Sequence, residues 1–230
     1  MTNQRDELKR LAAEAAVQQV RSGMVVGLGF GSTAIHALRA IGEKVQLGEL
    51  EDVQGVPTAE SIARAAVDVG ISLTTLEDHP VIDLTIDGAD EVDPELNLIK
   101  GGGGALLREK IVAQASRRLV IVVDESKLSD RLGSQFRLPV EVLSFGWGSQ
   151  TEFLVDLGAE VHMRQQADGS PYQTDSGNYI LDCDFGVMED LEGLARQLEG
   201  RAGIVEHGLF IGLADEVIIG LTDGLRTLKR

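Results

Sequence analysis

Apolar positions fall into two alternating patterns along the first half of the chain. "DELKRLAAEAAVQQVRSG" spaces its apolar residues at helical intervals, uses strong helix formers and has Gly23 just past its end, so it predicts a helix from Asn3 to Ser22. A short unbroken apolar run follows, Met24 to Leu28, which predicts a buried strand, and after a glycine turn a second helix starts near Ser32. The alternation continues. Thr58 to Val69 reads as helix, "ISLTTL" and "VIDLTID" as strands, Ala105 to Ser116 as helix and "RLVIVVDES" as strand. Strands alternating with helices imply βαβ units and a largely parallel sheet covered on both faces. The fold class is α/β.

Beyond Arg131 the texture changes. "LPVEVLSF" and "EVHMRQQ" flank a helical "SQTEFLVDLG", a polar "DGSPYQTDSGN" precedes the strand-like "YILDCDF", and "MEDLEGLARQLEG" is helical. These short elements predict a smaller α+β domain over 131–202. The closing "IVEHGLFIGLADEVIIGLTDG" supplies two strands expected to return to the first sheet, so the larger domain takes 1–130 plus 203–230.

The 230 residues are enough to bury a sizeable core without disulfides, and the single Cys183 has no partner for an internal bridge. Four scattered histidines, His36, His79, His162 and His207, show no zinc spacing, so no metal is expected. The N-terminal "MTNQRDELKR" lacks the apolar core of a secretory signal, and runs such as "LVIVV" are too short to span a bilayer. A cytoplasmic protein with no membrane partner is expected. A formal net charge of −16 argues against non-specific nucleic-acid binding, because a polyanion would meet a repulsive field. A small anion remains admissible where local positive charge and backbone N–H groups overcome that field.

In sheets of this kind ligands bind beyond the carboxyl ends of the strands, and "GLGFGST", "DGADE" and "DESK" each follow an apolar strand at that end. The first is not a dinucleotide fingerprint, since Ser32 stands where G-x-G-x-x-G needs its last glycine, and no G-x-x-x-x-G-K-[ST] occurs anywhere. A glycine turn running into Ser32 and Thr33 at a helix start suits a phosphate, although a tight turn with an ordinary serine cap fits too. The stretch "LTIDGADEVDPELNLIKGGGGALLREK" is more specific. Asp87 and Asp90 follow a buried strand, and four glycines after Lys100 carry an entropic cost that close approach to a ligand would explain. Glu109 falls one turn into the next helix. A base, a cation and a set of backbone N–H groups together suit proton transfer beside a carbonyl, and the two aspartates can open a sugar ring.

"GLGFGSTA", "IDGADEVDPELNLIKGGGGALLREKI", "VDESK" and "PVEV" resemble, in order and spacing, the signature segments of the type A ribose-5-phosphate isomerases, a likeness that includes the N-terminal "DELKR" and spans nearly the whole chain. The resemblance implies interconversion of D-ribose 5-phosphate and D-ribulose 5-phosphate through an enediolate, in the non-oxidative pentose phosphate pathway, without metal or coenzyme. It implies a Rossmann-like α/β domain with a smaller α+β domain, assembled as a homodimer or homotetramer. By position, Glu109 matches the base, Lys100 the lysine near the enediolate, and Asp87 and Asp90 the aspartates of ring opening and hydroxyl binding. Gly31, Ser32, Thr33 and Lys127 match sugar-phosphate contacts, and Lys9 an N-terminal lysine near the phosphate. Many members of the family have threonine where this chain has Phe30, so if that hydroxyl contacts substrate, one polar contact is either lost here or supplied by another group. The type B enzymes use a cysteine and a histidine, and Cys183 lacks that context.

Two other readings share the architecture. A sugar-phosphate sensor would need the phosphate cradle but has no use for both Glu109 and Lys100. An acyl-transfer enzyme with Glu109 as nucleophile would leave a covalent adduct.

Overall fold

The computed structural model describes residues 2–230, with side chains from residue 4 onward. In chain order the elements are α1 (Thr2–Val17), β1 (Val25–Leu28), α2 (Ala34–Gln46), β2 (Gln54–Pro57), α3 (Glu60–Asp68), β3 (Ser72–Leu73) and β4 (Leu84–Asp87). Then come β5 (Glu91–Val92), β6 (Leu98–Ile99), α4 (Leu106–Gln114), β7 (Leu119–Asp124) and a short 3₁₀ turn (Glu125–Lys127). The remainder is β8 (Leu138–Val142), α5 (Trp147–Asp156), β9 (Glu160–Met163), β10 (Tyr179–Asp184), α6 (Leu191–Glu199), β11 (Ile204–His207), β12 (Leu209–Phe210), β13 (Glu216–Leu221) and β14 (Gly224–Lys229). The α/β class and the largely parallel main sheet are as the apolar pattern predicts.

The chain divides into two compact units. The first takes 1–89, 108–128 and 212–230; the second takes 90–107 and 129–211.

The first unit contains a seven-stranded sheet in the order β14-β13-β7-β4-β1-β2-β3. All neighbours are parallel except the terminal β13–β14 hairpin. The inner strands are largely apolar because both faces are covered: every residue of β1, β4 and β7 is buried, the polar Thr85, Asp87 and Asp124 included. The chain leaves β1 toward β2 on one side and β4 toward β7 on the other, which makes the β1/β4 gap a topological switch point. Helix α1 faces the sheet with small residues, Ala12, Ala13 and Ala16, all fully buried, so its backbone can lie close. It stops at Val17 rather than Ser22. Gln19 and Val20 instead donate to the carbonyls three residues back, at 3.0 and 3.1 Å, so the last turns tighten and the α ladder ends.

The second unit has two antiparallel sheets, β11-β8-β10-β9 and β12-β6-β5. Its core gathers Leu138, Val140, Val142, Leu154, Leu181, Cys183 and Leu198. Of the closing strands expected to join the first sheet, only β13 does so. Ile204–His207 pairs with β8 and Leu209–Phe210 with β6; between them Gly208, where a Cβ would lie 2.2 Å from the Lys100 carbonyl oxygen, packs against both neighbours, and its N–H donates to the Pro139 carbonyl at 2.8 Å. The acidic run after Asp90 is not a solvated loop. Glu91, Val92, Leu98 and Ile99 are all buried, and the Glu91 carboxylate, fully buried, accepts from the backbone N–H groups of Gly133, Gln135 and Phe136 and from the Ser134 hydroxyl. A buried carboxylate is tolerated when donors replace its hydration in this way.

Candidate active site

Each unit carries a glycine loop, and each loop is tied to an aspartate. In the first unit, strands β1, β4 and β7 are neighbours, and their carboxyl ends lead to the first glycine loop, to Asp87 and to the turn bearing Lys127. Gly27 and Gly29 are there for lack of space. A Cβ on Gly27 would lie 1.8 Å from the Thr85 hydroxyl, and one on Gly29 would lie 2.5 Å from the Asp87 Cα. That closeness lets the loop bond to its neighbour. Gly29 N–H donates to the Ile86 carbonyl at 3.0 Å, and Asp87 Oδ1 accepts from the Phe30 N–H at 3.0 Å and from the Gly88 N–H at 2.7 Å. Asp87 is almost fully buried.

Gly31 then turns the chain with φ of +112°, a left-handed value that favours glycine, and its carbonyl accepts the Ile35 N–H at 3.1 Å to open α2. The helix starts at Ala34, two residues past Ser32. Thr33 is its cap residue, buried, and makes no side-chain cap hydrogen bond. The exposed Ser32 hydroxyl accepts from Lys9 Nζ at 2.9 Å. A cation, a hydroxyl and the positive end of a thirteen-residue helix therefore meet at one turn, an arrangement that suits a phosphate dianion. Lys127 is half-buried in the turn that Asp124 caps by accepting the Ser126 N–H at 2.9 Å.

In the second unit, Glu91 pairs with Ile99 across the β5–β6 hairpin, so Asp90 and Lys100 are the next residues on its two strands. Asp90 N–H donates to the Ile99 carbonyl at 2.8 Å and Lys100 N–H to that of Gly208 at 2.9 Å, which fixes both main chains. Lys100 is 3% exposed, with Nζ 5.5 Å from the Phe210 ring centre. The second loop begins at once. Asp90 Oδ2 accepts the Gly102 N–H at 2.7 Å, and Gly104 N–H closes a turn onto the Gly101 carbonyl at 3.0 Å. Gly101 and Gly104 have φ of +105° and +85°. Helix α4 follows, and Glu109 in its first turn, already part of the first unit, is 3% exposed.

Arg164 and Tyr172 were not singled out by the sequence. Arg164 Nη1 donates to the carbonyls of Gly101, at 2.7 Å, and Gly102, at 3.1 Å, while the Tyr172 hydroxyl donates to that of Gly103 at 3.3 Å. Burial raises the Tyr172 pKa above its ordinary value, which keeps the hydroxyl a donor. Cys183, fully buried, has its thiol pushed up by burial, so it is no nucleophile at neutral pH. Among the described residues, no three His, Cys, Asp or Glu side chains gather in a way that could hold a metal ion, and no helix is long and apolar enough to cross a membrane.

The family model for ribose 5-phosphate isomerase A, also called phosphoriboisomerase A, matches residues 54–224. The chain belongs to that family. It is 56% identical to the ribose-5-phosphate isomerase A of Chloroflexus aurantiacus, covering 98% of this chain and 94% of the relative. It is 54% identical to that of Desulfatibacillum aliphaticivorans, covering 100% and 99%. Among solved structures, a D-ribose-5-phosphate isomerase in complex with phospho-erythronic acid superposes with a TM-score of 0.95 at 38% identity, covering 97% of this chain and 98% of the other. The ribose 5-phosphate isomerase of Plasmodium falciparum gives 0.94 at 41%, covering 98% and 99%. The chain is accordingly an isomerase of the ribose 5-phosphate isomerase A family, and the sensor without turnover is not favoured.

Proposed function

We propose that the chain interconverts D-ribose 5-phosphate and D-ribulose 5-phosphate in the non-oxidative pentose phosphate pathway, with the residues in the following roles. Lys9, Gly31, Ser32, Thr33 and Lys127 bind the sugar phosphate. Asp87 and Asp90 exchange protons with the ring oxygen and the anomeric hydroxyl, which opens the sugar, and they hold its hydroxyl groups. The Glu109 carboxylate removes the proton from C2, the C–H electron pair forms the C1–C2 double bond, and the aldehyde oxygen becomes the enediolate oxyanion. Lys100 and the second glycine loop stabilise that charge. Glu109 returns the proton to C1 while a hydroxyl proton passes from O2 to O1, leaving the ketone at C2.

The observation that carries this reading is the burial of Lys100 and Glu109, each to 3% exposed, at the two ends of one glycine loop. Lysine and glutamate are rarely buried this completely, and buried ionisable groups cluster at functional sites, which fits a family of isomerases. The like-named structure that holds phospho-erythronic acid supports a phosphorylated sugar acid as a ligand of this chain too. A homodimer or homotetramer, working in the cytoplasm, completes the proposal.

The test follows ribulose 5-phosphate formation in deuterium oxide by the wild-type chain and by Glu109→Gln, both stripped of metal. Turnover by the wild type, with isotope entering at the isomerised carbon, and a loss of at least about 10²-fold in kcat on removal of the base are expected. Near wild-type turnover in the variant would remove Glu109 from this role. Intact-mass measurement after incubation separates the acyl-transfer alternative, which requires an adduct.

A further inference from the structure

Arg164 lies just past the end of β9, and its N–H donates to the Ile180 carbonyl at 2.9 Å, so its main chain is fixed by the small sheet. Its side chain is held from the other strand: Asp182 accepts from Nε at 2.9 Å and from Nη2 in a second short bond. Both side chains are mostly buried, at 15% and 21% exposed. This forked pairing uses one edge of the guanidinium and leaves Nη1 to reach the loop, where it bonds the carbonyls of Gly101 and Gly102.

A trans peptide points its C=O and N–H in opposite directions, so a clamped carbonyl aims the N–H of the next residue. The Gly101 carbonyl toward Arg164 sends the Gly102 N–H the other way, where it meets Asp90 Oδ2 at 2.7 Å. The Gly103 carbonyl toward Tyr172 sends the Gly104 N–H into the turn onto Gly101. By the same geometry, the Gly102 carbonyl toward Arg164 turns the Gly103 N–H away from Arg164. These carbonyl clamps add to the Asp90 and Gly101 bonds in holding the planes, and Tyr172 fills the space beside Gly104, where a Cβ would lie 2.3 Å from its hydroxyl oxygen.

We propose that Arg164, braced by Asp182 and assisted by Tyr172, is a positioning residue that fixes the peptide planes of the second glycine loop and so presents the Gly103 N–H as an oxyanion donor for the enediolate. The inference rests on the reading of Lys100 and this loop as the enediolate site. The contribution belongs to kcat, because an N–H aimed at a charge that develops only in the transition state gives little to ground-state binding.

The test compares Arg164→Ala, Arg164→Lys and the double variant Arg164→Met/Asp182→Leu with Lys100→Ala and wild type, measuring kcat, KM and thermal midpoint on the full chain. Arg164→Ala is expected to lower kcat by about 10- to 100-fold with KM within about threefold, the scale of effect that misplacing a catalytic group produces. Arg164→Lys, which has no fork, recovers only part of the loss. Guanidinium ion at millimolar concentration raises the rate of Arg164→Ala while urea at the same concentration does not. The double variant, which leaves no unpaired charge, regains thermal stability but not kcat.

If kcat in the double variant recovers together with its melting temperature, or if KM alone rises, Arg164 is only a structural brace and the proposal is overturned. Lys100→Ala separates the two levels. Full kcat there would overturn the enediolate reading itself, whereas a low kcat there beside normal Arg164 variants would overturn only the positioning role.

Discussion

The two glycine loops solve opposite problems. In the first, Gly27 and Gly29 are required because two parallel strands come so close that a methyl group would strike Thr85 or Asp87, and the loop is fixed by strand neighbours and one carboxylate. In the second, left-handed torsions at Gly101 and Gly104 bend a chain that belongs to no regular element, and long side chains from the segment between β9 and β10 hold its carbonyls. The first loop opens a thirteen-residue helix and sits beside a lysine, which suits a charge that is present throughout the reaction. The second restrains individual peptide planes, which suits a charge that exists only briefly. Permanent charge can be met by a helix end and a flexible cation; transient charge needs donors already in place.

The largest test of this contrast is Lys100→Ala, expected to lower kcat by about 10²-fold or more with KM little changed, as steady-state kinetics would show. A pure KM effect would erase the distinction between the loops. Gly104→Ala comes next. Its left-handed φ and the Tyr172 ring leave no room for a methyl group, so kcat should fall by roughly tenfold while chemical denaturation registers a loss of about 1–3 kcal/mol. Lys9→Ala should act in the reverse sense, raising KM for the phosphorylated sugar several-fold with kcat nearly intact, since only the persistent dianion loses a contact.

The smallest effect concerns acidity and should touch the second unit alone. Asp93 closes the turn of the β5–β6 hairpin by accepting the Asn97 N–H at 2.8 Å and the Asn97 side-chain amide at 3.0 Å, and burial raises its pKa above the ordinary 3.8. The folded chain then holds this proton more tightly than the unfolded one. The stability that comes from the protonated form is complete below the unfolded value and is lost as pH rises through the folded one. Urea midpoints for wild type should therefore decline relative to Asp93→Asn as pH is raised from about 4 toward neutrality. A difference that stays constant with pH would leave Asp93 without this role.

The βα alternation was legible because β1, β4 and β7 are short, largely apolar runs set between helical segments, and the first loop and Asp87 follow directly from where those runs end. Strands β5, β6 and β12 were not legible. Each is two residues long, too short for any period to register, and Glu91 places a charge inside one of them whose four donors arrive from 133–136. The destination of Ile204–His207 was missed for a related reason: its apolar content suits either sheet, and its partner β8 lies more than sixty residues back in the chain. Lys100, Asp90 and Glu109 stood out by composition and resemblance. Arg164 could not, since a strand-flanking arginine gives no sign that it will bond a carbonyl 63 residues away.

The order of strands in the seven-stranded sheet also bears on how the chain is made. β7, five apolar residues closed by Asp124, takes β13 as its outer neighbour, and the chain between them includes most of the second unit. On a ribosome, where some 5–20 residues emerge each second, β7 waits with one edge uncovered until Glu216–Leu221 has been synthesised. An uncovered apolar edge is a template for pairing with another chain. Slow codons or truncation within the last hundred or so residues should therefore harm yield through aggregation of nascent chains, with no change in the chemistry of the molecules that finish.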